Sequence, residues 1–364
     1  MNSLGFDKSE KDTKVVVAMS GGVDSSVAAV MLKKQGYDVT GITLRLYNNS
    51  NVSSAKSCCA GIDIEDAKNV ALNNNFKHIV LDYQDKFFYG VINNFVDSYT
   101  NGETPLPCVK CNETVKFSDL LNEAKKIGAD ALATGHYAIR KGSLNNASLH
   151  KAKDFSKDQS FFLFATLQEQ LNYVRFPLGH YKKSEIRQLA KEYKLSVSDK
   201  PDSQDICFVT SDSYRDLVNN LNPYVKKKGI IYDIDNNILG THDGISNYTI
   251  GQRKGIGISG SKEALYVVNI NKDQNSITLG KKAELKNNVI NFKNINWLGG
   301  NILPNGLDCS AKIRSTQEDL PGILNIESDQ GTFTFDTELD KTSPGQACVF
   351  YKNDQLLGGG WITA

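Results

Sequence analysis

The sequence predicts an α/β domain built on a parallel sheet, followed by two small β-rich domains, the last of them a β-barrel. Three observations predict it. Strand-like and helix-like runs alternate through the first half, which implies a parallel sheet covered on both faces. A glycine-rich turn, Ser20-Gly21-Gly22, joins the first strand to the first helix. From about Gly229 onward helical spacing disappears, and short β-like segments punctuated by turn residues replace it. A chain of 364 residues exceeds the usual reach of one core. The expected domains are 1–209, 210–280 and 281–364.

The elements follow in order. Val15 to Met19 is an apolar, β-branched strand, and a helix-like run from Val27 to Gln35 stops at Gly36. Asp38 to Tyr47 carries Val39, Thr40, Ile42, Thr43 and Leu44, a second strand. Ile64 to Leu72 has helical spacing and precedes the strand-like His78-Ile79-Val80-Leu81. Phe88, Val91, Ile92 and Phe95 form a stripe on a helix from Phe87 to Tyr99. Asn112 to Ile127 is a further helix, and Ala131 to Tyr137 a further strand. In the second half the β segments are Gly229–Tyr232, 248–250, 265–270, 276–279, 289–292, 311–313, 331–335 and 347–351. Turns such as Asp235-Asn236-Asn237 and Asn305-Gly306 separate them, as in small barrels.

Bulk composition excludes several classes. Hydrophobic residues at 40% and charged residues at 23% match an ordinary globular protein. With a net charge of +1, a nucleic-acid partner would have to be met by local patches, such as Lys226-Lys227-Lys228, Arg253-Lys254 or Lys281-Lys282. Each patch taken alone is more readily a solvated surface. No apolar stretch is long enough to span a bilayer. Residues 1–14 mix acids and lysines without an apolar core, so no secretory signal is expected there. The expected location is cytoplasmic, with no membrane partner. There, seven cysteines serve as thiols, metal ligands or redox groups rather than as structural disulfides.

The turn after the first strand carries the clearest chemistry. A strand, a glycine turn and a helix start make a phosphate cradle, in which backbone N–H groups and the positive end of the helix dipole face an anion. The Gly-Lys-Ser/Thr ending of the Walker loop is missing. Ser20-Gly21-Gly22-Val23-Asp24-Ser25 instead resembles the PP-loop of ATP pyrophosphatases, which split ATP between its α and β phosphates. The first domain is therefore expected to be a Rossmann-like PP-loop domain. Asp24 is the natural magnesium partner, unless it caps the following helix.

Cysteines form the second constellation. Cys108 and Cys111 lie in Pro107-Cys108-Val109-Lys110-Cys111-Asn112, at the mouth of a helix expected from Asn112; Cys207 lies in Asp205-Ile206-Cys207-Phe208. A thiol at a helix N-terminus has its thiolate favoured, which makes Cys111 a nucleophile candidate. Four readings stand side by side. Zinc could use Cys58, Cys59, Cys108 and Cys111, although an adjacent pair fits a tetrahedral ion poorly. An iron–sulfur cluster could use Cys108, Cys111 and Cys207. Buried apolar thiols suit Cys309 and Cys348 better than the proline-flanked Cys108 and Cys111. The fourth reading is a pair of working thiols beside a nucleotide.

Beyond these single motifs, nearly the whole chain resembles the tRNA-specific 2-thiouridylase family. The resemblance rests on residues 18–26, Cys58-Cys59, residues 104–112, Ala133-Thr134-Gly135-His136-Tyr137-Ala138 and Lys157-Asp158-Gln159-Ser160. It continues through residues 202–208, Tyr248-Thr249-Ile250-Gly251-Gln252-Arg253-Lys254-Gly255 and Ser343-Pro344-Gly345-Gln346. The resemblance implies that Ala18, Met19, Ser20, Gly21, Gly22, Val23, Asp24 and Ser25 hold ATP, with Leu44 and Gly135 lining the nucleotide. It implies Cys111 as nucleophile and Cys207 as the persulfide carrier. Leu106, Pro107 and Cys108 would meet the target base, and Lys157, Asp158, Gln159, Arg314 and Ser315 the tRNA. Leu106 stands where the family commonly has Asn, Ser315 where an aromatic is common, and Cys108 where some members have Asp.

The implied reaction transfers AMP to the C2 oxygen of a wobble uridine in an anticodon loop, then sulfur to C2. ATP and Mg2+ are the implied cofactors, with a [4Fe-4S] cluster as the alternative to a persulfide. The partners are a tRNA and a persulfide donor or relay protein. Two rivals remain. A PP-loop ligase acting on a small molecule would have no use for Cys111 and Cys207, and a non-catalytic RNA-binding protein with a structural metal site would turn over no ATP.

Overall fold

The computed structural model describes residues 1–47, 61–202, 206–209, 213–258 and 263–364. Cys58, Cys59 and residues 203–205 of the motif before Cys207 lie outside the described residues. The chain divides into two compact units. One is Met1–Val91, Cys108–Thr210 and Asp354–Leu357; the other is Ile92–Pro107, Ser211–Asn353 and Gly358–Ala364.

The first unit contains β1 (Lys14–Ala18), β2 (Asp38–Arg45), β3 (Lys77–Asp82), β4 (Ala131–Thr134), β5 (Ile139–Gly142), β6 (Ala147–His150) and β7 (Val174–Arg175). Five of these form an all-parallel sheet in the order β3-β2-β1-β4-β7. Val15, Val16 and Val17 are all buried, as a continuous apolar run in a sheet covered on both faces must be. Helix α1 (Val23–Lys34) buries nearly every residue from Val23 to Leu32, and Ala28 and Ala29 let it pack closely. It begins four residues before the expected start, so its N-terminus opens directly from the glycine turn. Helix α2 (Gly61–Asn73) lies on the same core through Ala67 and Val70.

Two expected helices have different local geometry. The stripe at Phe87–Tyr99 falls on α3 (Gln84–Phe87), a π turn at Phe88–Ile92 and α4 (Asn93–Thr100). The helix expected from Asn112 starts earlier, with α5 (Pro107–Lys110), a π segment at Cys111–Leu120 and α6 (Leu121–Lys126). Proline suits that first position, where its missing N–H is no loss. Helices α7 (Gln168–Tyr173) and α8 (Lys183–Glu192) complete the unit, and β5 and β6 form a hairpin.

In the second unit, α9 (Tyr214–Leu221) precedes β8 (Gly229–Tyr232), β9 (Ile238–His242), β10 (Tyr266–Asn271) and β11 (Ser276–Gly280), a sheet of order β10-β11-β8-β9. Then come β12 (Lys286–Trp297), β13 (Asn305–Lys312), β14 (Leu320–Glu327), β15 (Gln330–Asp340), β16 (Ala347–Lys352) and β17 (Gln355–Ile362). Their order, β12-β15-β14-β13-β16-β17, is closed into a barrel by pairing of β12 with β17. Phe292, Phe333, Phe335, Phe350 and Tyr351 fill it, each 2% exposed or less.

The expected strand at 248–250 is not one. Gly244 at φ +126° and Gly251 at φ +85° turn the chain on either side. Ile250 donates its N–H to the Ser343 hydroxyl rather than to a ladder. Strands β5, β6, β7, β9, β14 and β17 had no counterpart in the sequence reading. β17 carries Gly358-Gly359-Gly360, whose glycines read as a turn. Here the barrel needs them, because a Cβ on Gly358 would fall 2.1 Å from the Asn296 carbonyl.

Candidate active site at the glycine turn

Gly21 has φ +73°, and a Cβ there would lie 2.1 Å from the Asp63 carbonyl oxygen. Only glycine fits both conditions. Gly22 forms the helix N-cap, with no side chain capping it. Ser25 folds the turn onto itself: its hydroxyl accepts the Ser20 N–H at 3.1 Å and donates to the Gly22 carbonyl at 3.3 Å. Gly135, just past β4, leans on the same turn, and a Cβ there would come within 2.8 Å of the Ser25 nitrogen. Ala18, Met19, Leu44 and Val23 surround it, buried or half-buried at the carboxyl ends of β1 and β2 and the start of α1. This is the edge at which parallel sheets bind ligands. The ten residues expected around the nucleotide thus lie on the turn and on the strand ends and helix start that adjoin it.

Asp24 does not cap α1. Its carboxylate holds a cation instead: Lys183 Nζ lies 2.7 Å from both oxygens, and the Tyr137 hydroxyl donates to Oδ1 at 2.7 Å. Lys183 is the first residue of α8, and its Nζ is also 3.0 Å from Asp202. Asp202 in turn accepts Lys157 at 2.9 Å and Arg187 at 2.6 Å. Burial would raise the Asp202 pKa, but the Lys157 and Lys183 hydrogen bonds outweigh it and hold the carboxyl at about 2. Behind the turn, Lys200 donates to the Gly21 carbonyl at 3.1 Å, to Asp63 and, at 2.8 Å, to Asp66. None of Tyr137, Lys183, Arg187, Lys200 and Asp63 emerged as a site residue from the sequence. Their signal was the turn's own arithmetic, since a phosphate cradle needs cations and the Walker lysine is missing.

Cys111 sits one turn inside its helix rather than at the helix mouth, and it is buried. Burial pushes its thiol up; Lys116 offsets this in part. This reverses the expectation that the helix dipole and an exposed loop would favour the thiolate. Cys108, three residues earlier, is exposed. Asn112 is buried beside Cys111, with its amide donating to the Phe162 carbonyl. The backbone of Cys207 is held by the Tyr47 hydroxyl, which donates to its carbonyl at 3.2 Å, and Phe208 packs edge-on against Phe87. His136 shares a hydrogen bond with Thr134, and burial drives its pKa well below the usual range. Cys309 is half-buried, its thiol pushed up to about 12 by burial, and Cys348 is fully buried, which fits the reading of both as apolar thiols.

Among the described residues no group of three His, Cys, Asp or Glu side chains is placed to hold a metal ion. Cys108, Cys111 and Cys207 therefore form no ready ligand set for an iron–sulfur cluster, and half of the zinc set lies outside the described residues. A metal ion at Asp24 would have to displace the Lys183 ammonium, which holds both carboxylate oxygens.

The residues expected to meet tRNA fall into two groups. Lys157 is tied to Asp202, Asp158 accepts the N–H groups of Ala152 and Ser160, and the Gln159 side chain accepts the Tyr137 N–H. These three shape the neighbourhood of the turn. In the second unit Arg314 is exposed, with one N–H on the Lys341 carbonyl, and Ser315 is half-buried beside it. Leu106 is half-buried and Pro107 buried. The lysines at 226–228, Arg253, Lys254, Lys281 and Lys282 are all exposed. Among the described residues no helix is long and apolar enough to cross a membrane.

A parallel sheet whose first turn presents glycines, a helix N-terminus and a lysine-held aspartate defines a phosphate-handling α/β domain. Family models agree on three consecutive segments: a tRNA methyl transferase HUP domain at 13–211, a tRNA methyl transferase PRC-barrel domain at 219–281 and an aminomethyltransferase β-barrel domain at 287–362. Relatives named tRNA-specific 2-thiouridylase MnmA match along the full chain. That of Orientia tsutsugamushi is 51% identical over 99% of this chain and 98% of its own length. Those of Ehrlichia ruminantium (strain Welgevonden) and Rhodospirillum centenum are 50% and 48% identical, over 98% and 100% of this chain and 96% and 94% of theirs. Among solved structures, a 4-thiouridine synthetase in complex with RNA and ATP aligns at 18% identity and a TM-score of 0.36, over 58% of this chain and 50% of that one. The chain belongs to the tRNA-specific 2-thiouridylase family.

Proposed function

We propose that this chain is a tRNA-uridine 2-sulfurtransferase. It uses ATP to adenylate the C2 oxygen of a wobble uridine and then replaces that oxygen with sulfur, giving 2-thiouridine, AMP and pyrophosphate. The supporting observation is full-length relationship to 2-thiouridylases at about half identity, on a chain with a phosphate-binding turn and two cysteines, Cys111 and Cys207, in the same unit.

The C2 carbonyl is a poor electrophile and its oxygen a poor leaving group. The uridine oxygen attacks the α-phosphorus, pyrophosphate departs, and the oxygen becomes part of a good leaving group, AMP. The turn residues Ala18 to Ser25 hold the triphosphate, with Leu44 and Gly135 beside the nucleotide. Asp24, once released by Lys183, would hold the magnesium ion that accompanies ATP and that would supply charge neutralisation to the departing pyrophosphate. Cys207 carries the transferable sulfur as a persulfide. Cys111 attacks the inner sulfur, closing a Cys111–Cys207 disulfide, and the released sulfide adds to C2 as AMP leaves with the oxygen. A thiol reductant then reopens the disulfide. The sulfur enters from a persulfide donor protein. A [4Fe-4S] cluster finds no ready ligand set among the described residues.

The wobble base must be splayed from its loop to reach a buried thiol. Leu106, Pro107 and Cys108 are the proposed base contacts, and Lys157, Asp158, Gln159, Arg314 and Ser315 the proposed tRNA contacts. The proposed setting is the cytoplasm.

Mass analysis of wobble uridine in tRNA incubated with enzyme, ATP and a persulfide donor tests the reading. Cys111→Ser and Cys207→Ser should each abolish 2-thiouridine while tRNA still binds. Full thiolation by either variant removes that cysteine from the mechanism.

A further inference from the structure

Residues 222–228 of the second unit form a loop whose backbone is held while most of its side chains point outward. Pro223 opens a 3-10 turn, in which the N–H groups of Val225 and Lys226 donate to the carbonyls of Asn222 and Pro223. Val225 turns inward and is buried, and a Cβ on Gly244 would come within 2.3 Å of its carbonyl oxygen. Asn275, between β10 and β11, donates its amide to the carbonyls of Lys227 at 3.2 Å and Lys228 at 2.8 Å. At the next residue, a Cβ on Gly229 would fall 1.9 Å from the Asn275 carbonyl oxygen. The loop is thereby wedged between Gly244 and Asn275.

What this frame displays is a ring and three charges. Tyr224 is 93% exposed, against 69% for Phe155 and Tyr89. Lys226, Lys227 and Lys228 are exposed, and among the described residues no ion pair joins any of them to a carboxylate. Lys157, Lys183 and Lys200, by contrast, each hold an aspartate. Adjacent like charges repel one another, and a ring left in water gains nothing from burial, so neither feature serves the fold. The chain carries 42 basic and 41 acidic side chains, which makes an unanswered run of three a local excess. As a run of letters it reads as a solvated surface; the structure adds a fixed backbone beneath it and an aromatic ring beside it. Phosphates match the lysines, and the face of an unpaired base matches the ring. Single-stranded stretches of RNA offer both in one ligand.

We propose that residues 223–228 are an RNA-binding loop of the second unit: Lys226, Lys227 and Lys228 hold phosphates of the tRNA, and Tyr224 stacks on an unpaired base beside them. The fixed backbone lets the loop bind with little ordering of its own. The lysines supply affinity without reading sequence, and the ring prefers a tRNA whose base at that point is free to stack. The inference rests on the reading of tRNA as the substrate.

The test measures binding of unmodified tRNA to the full-length protein between about 50 and 200 mM salt, where phosphate contacts show most clearly. Lys226→Gln, Lys227→Gln and Lys228→Gln combined should lower the slope of log affinity against log salt by about 2, at roughly 0.7–0.9 per lost phosphate contact. Tyr224→Ala should weaken binding about fivefold or more at every salt concentration with the slope unchanged, and Tyr224→Phe should bind as wild type does. An unchanged slope in the lysine variant overturns the phosphate contacts, and unchanged affinity in Tyr224→Ala overturns the stacking. A lysine variant that binds tRNA normally but loses 2-thiolation only when a persulfide donor protein supplies the sulfur marks a protein contact and overturns the proposal. In wild type, bound tRNA should shield the three lysines from acetylation, read on their peptides by mass spectrometry. Equal labelling with tRNA bound overturns the proposal with no variant needed. Failure of wild type to bind any tRNA overturns the tRNA reading itself.

Discussion

The turn after β1 and the interior of the C-terminal barrel are both sites of dense packing, yet they are built from opposite materials. The barrel is filled by aromatic rings, with Phe292 and Phe350 4.9 Å apart between centroids and Phe333 stacked nearly parallel to Phe350. The turn is surrounded by buried and half-buried charges: Asp24, Lys183, Asp202, Arg187, Lys200 and Asp63. Replacing a buried ion pair with apolar groups is often neutral or stabilising, so such a network is weak evidence of selection for stability. The difference teaches that the barrel is organised to stay folded, whereas the proposed role of the turn, meeting a charged ligand, gives its charge network a reason other than stability.

Truncation of a ring in the barrel should give the largest loss of stability. Phe350→Ala should cost about 3–5 kcal/mol, as buried phenylalanines do. Denaturant unfolding should show this loss, with nucleotide binding at the turn retained below the transition. Loss of nucleotide binding in the folded variant would break the contrast between the two regions.

Gly21→Ala should act the other way round. The left-handed backbone costs about 1–2 kcal/mol for an L-residue, and the clash with the Asp63 carbonyl adds to it. Stability should fall by roughly 2 kcal/mol or more, and equilibrium binding of ATP should be lost. A variant that binds ATP normally would show that the close approach of the turn to Asp63 is dispensable.

The smallest effect should be electrostatic. Asp202 is held at about 2, against 3.8 for a free aspartate. Its contribution is present above the unfolded value and is lost as pH falls from about 4 through 2. At a quarter exposed, it is worth at most about 2 kcal/mol. Acid unfolding of wild type should therefore steepen in that window, and Asp202→Asn should remove the added steepness. An identical acid profile in the variant would mean that solvent screens the cluster.

Much of this was legible in the chain. The Val15–Val17 run, the glycines at 21 and 22 and the strand–helix alternation identified the parallel sheet and its turn, because burial on both faces and close backbone approach each demand particular residue types. Strand β17 was not legible. Its three glycines signal a turn locally and are tolerated in a strand only because β12 presses against them. Asp24 was legible as a site residue, but its partner was not. Lys183 is 159 positions away, and no local pattern marks a lysine that opens a helix as the counter-ion of a distant carboxylate. The state of Cys111 was misread for a similar reason. Sequence placed it at a helix mouth, where a dipole lowers a thiol pKa; in the fold, Pro107 starts the helix a turn earlier and burial raises it.

By itself, then, the sequence determined the sheet, the glycine turn, the β-rich second half and the family, since each is written in nearest-neighbour patterns and short motifs. Only the tertiary structure decided which charges meet at the turn, which thiol is buried and how the chain before Cys207 is tied to Gly21 and Asp24. Those are contacts between residues far apart in sequence, set by burial and by the need of a buried charge for a partner.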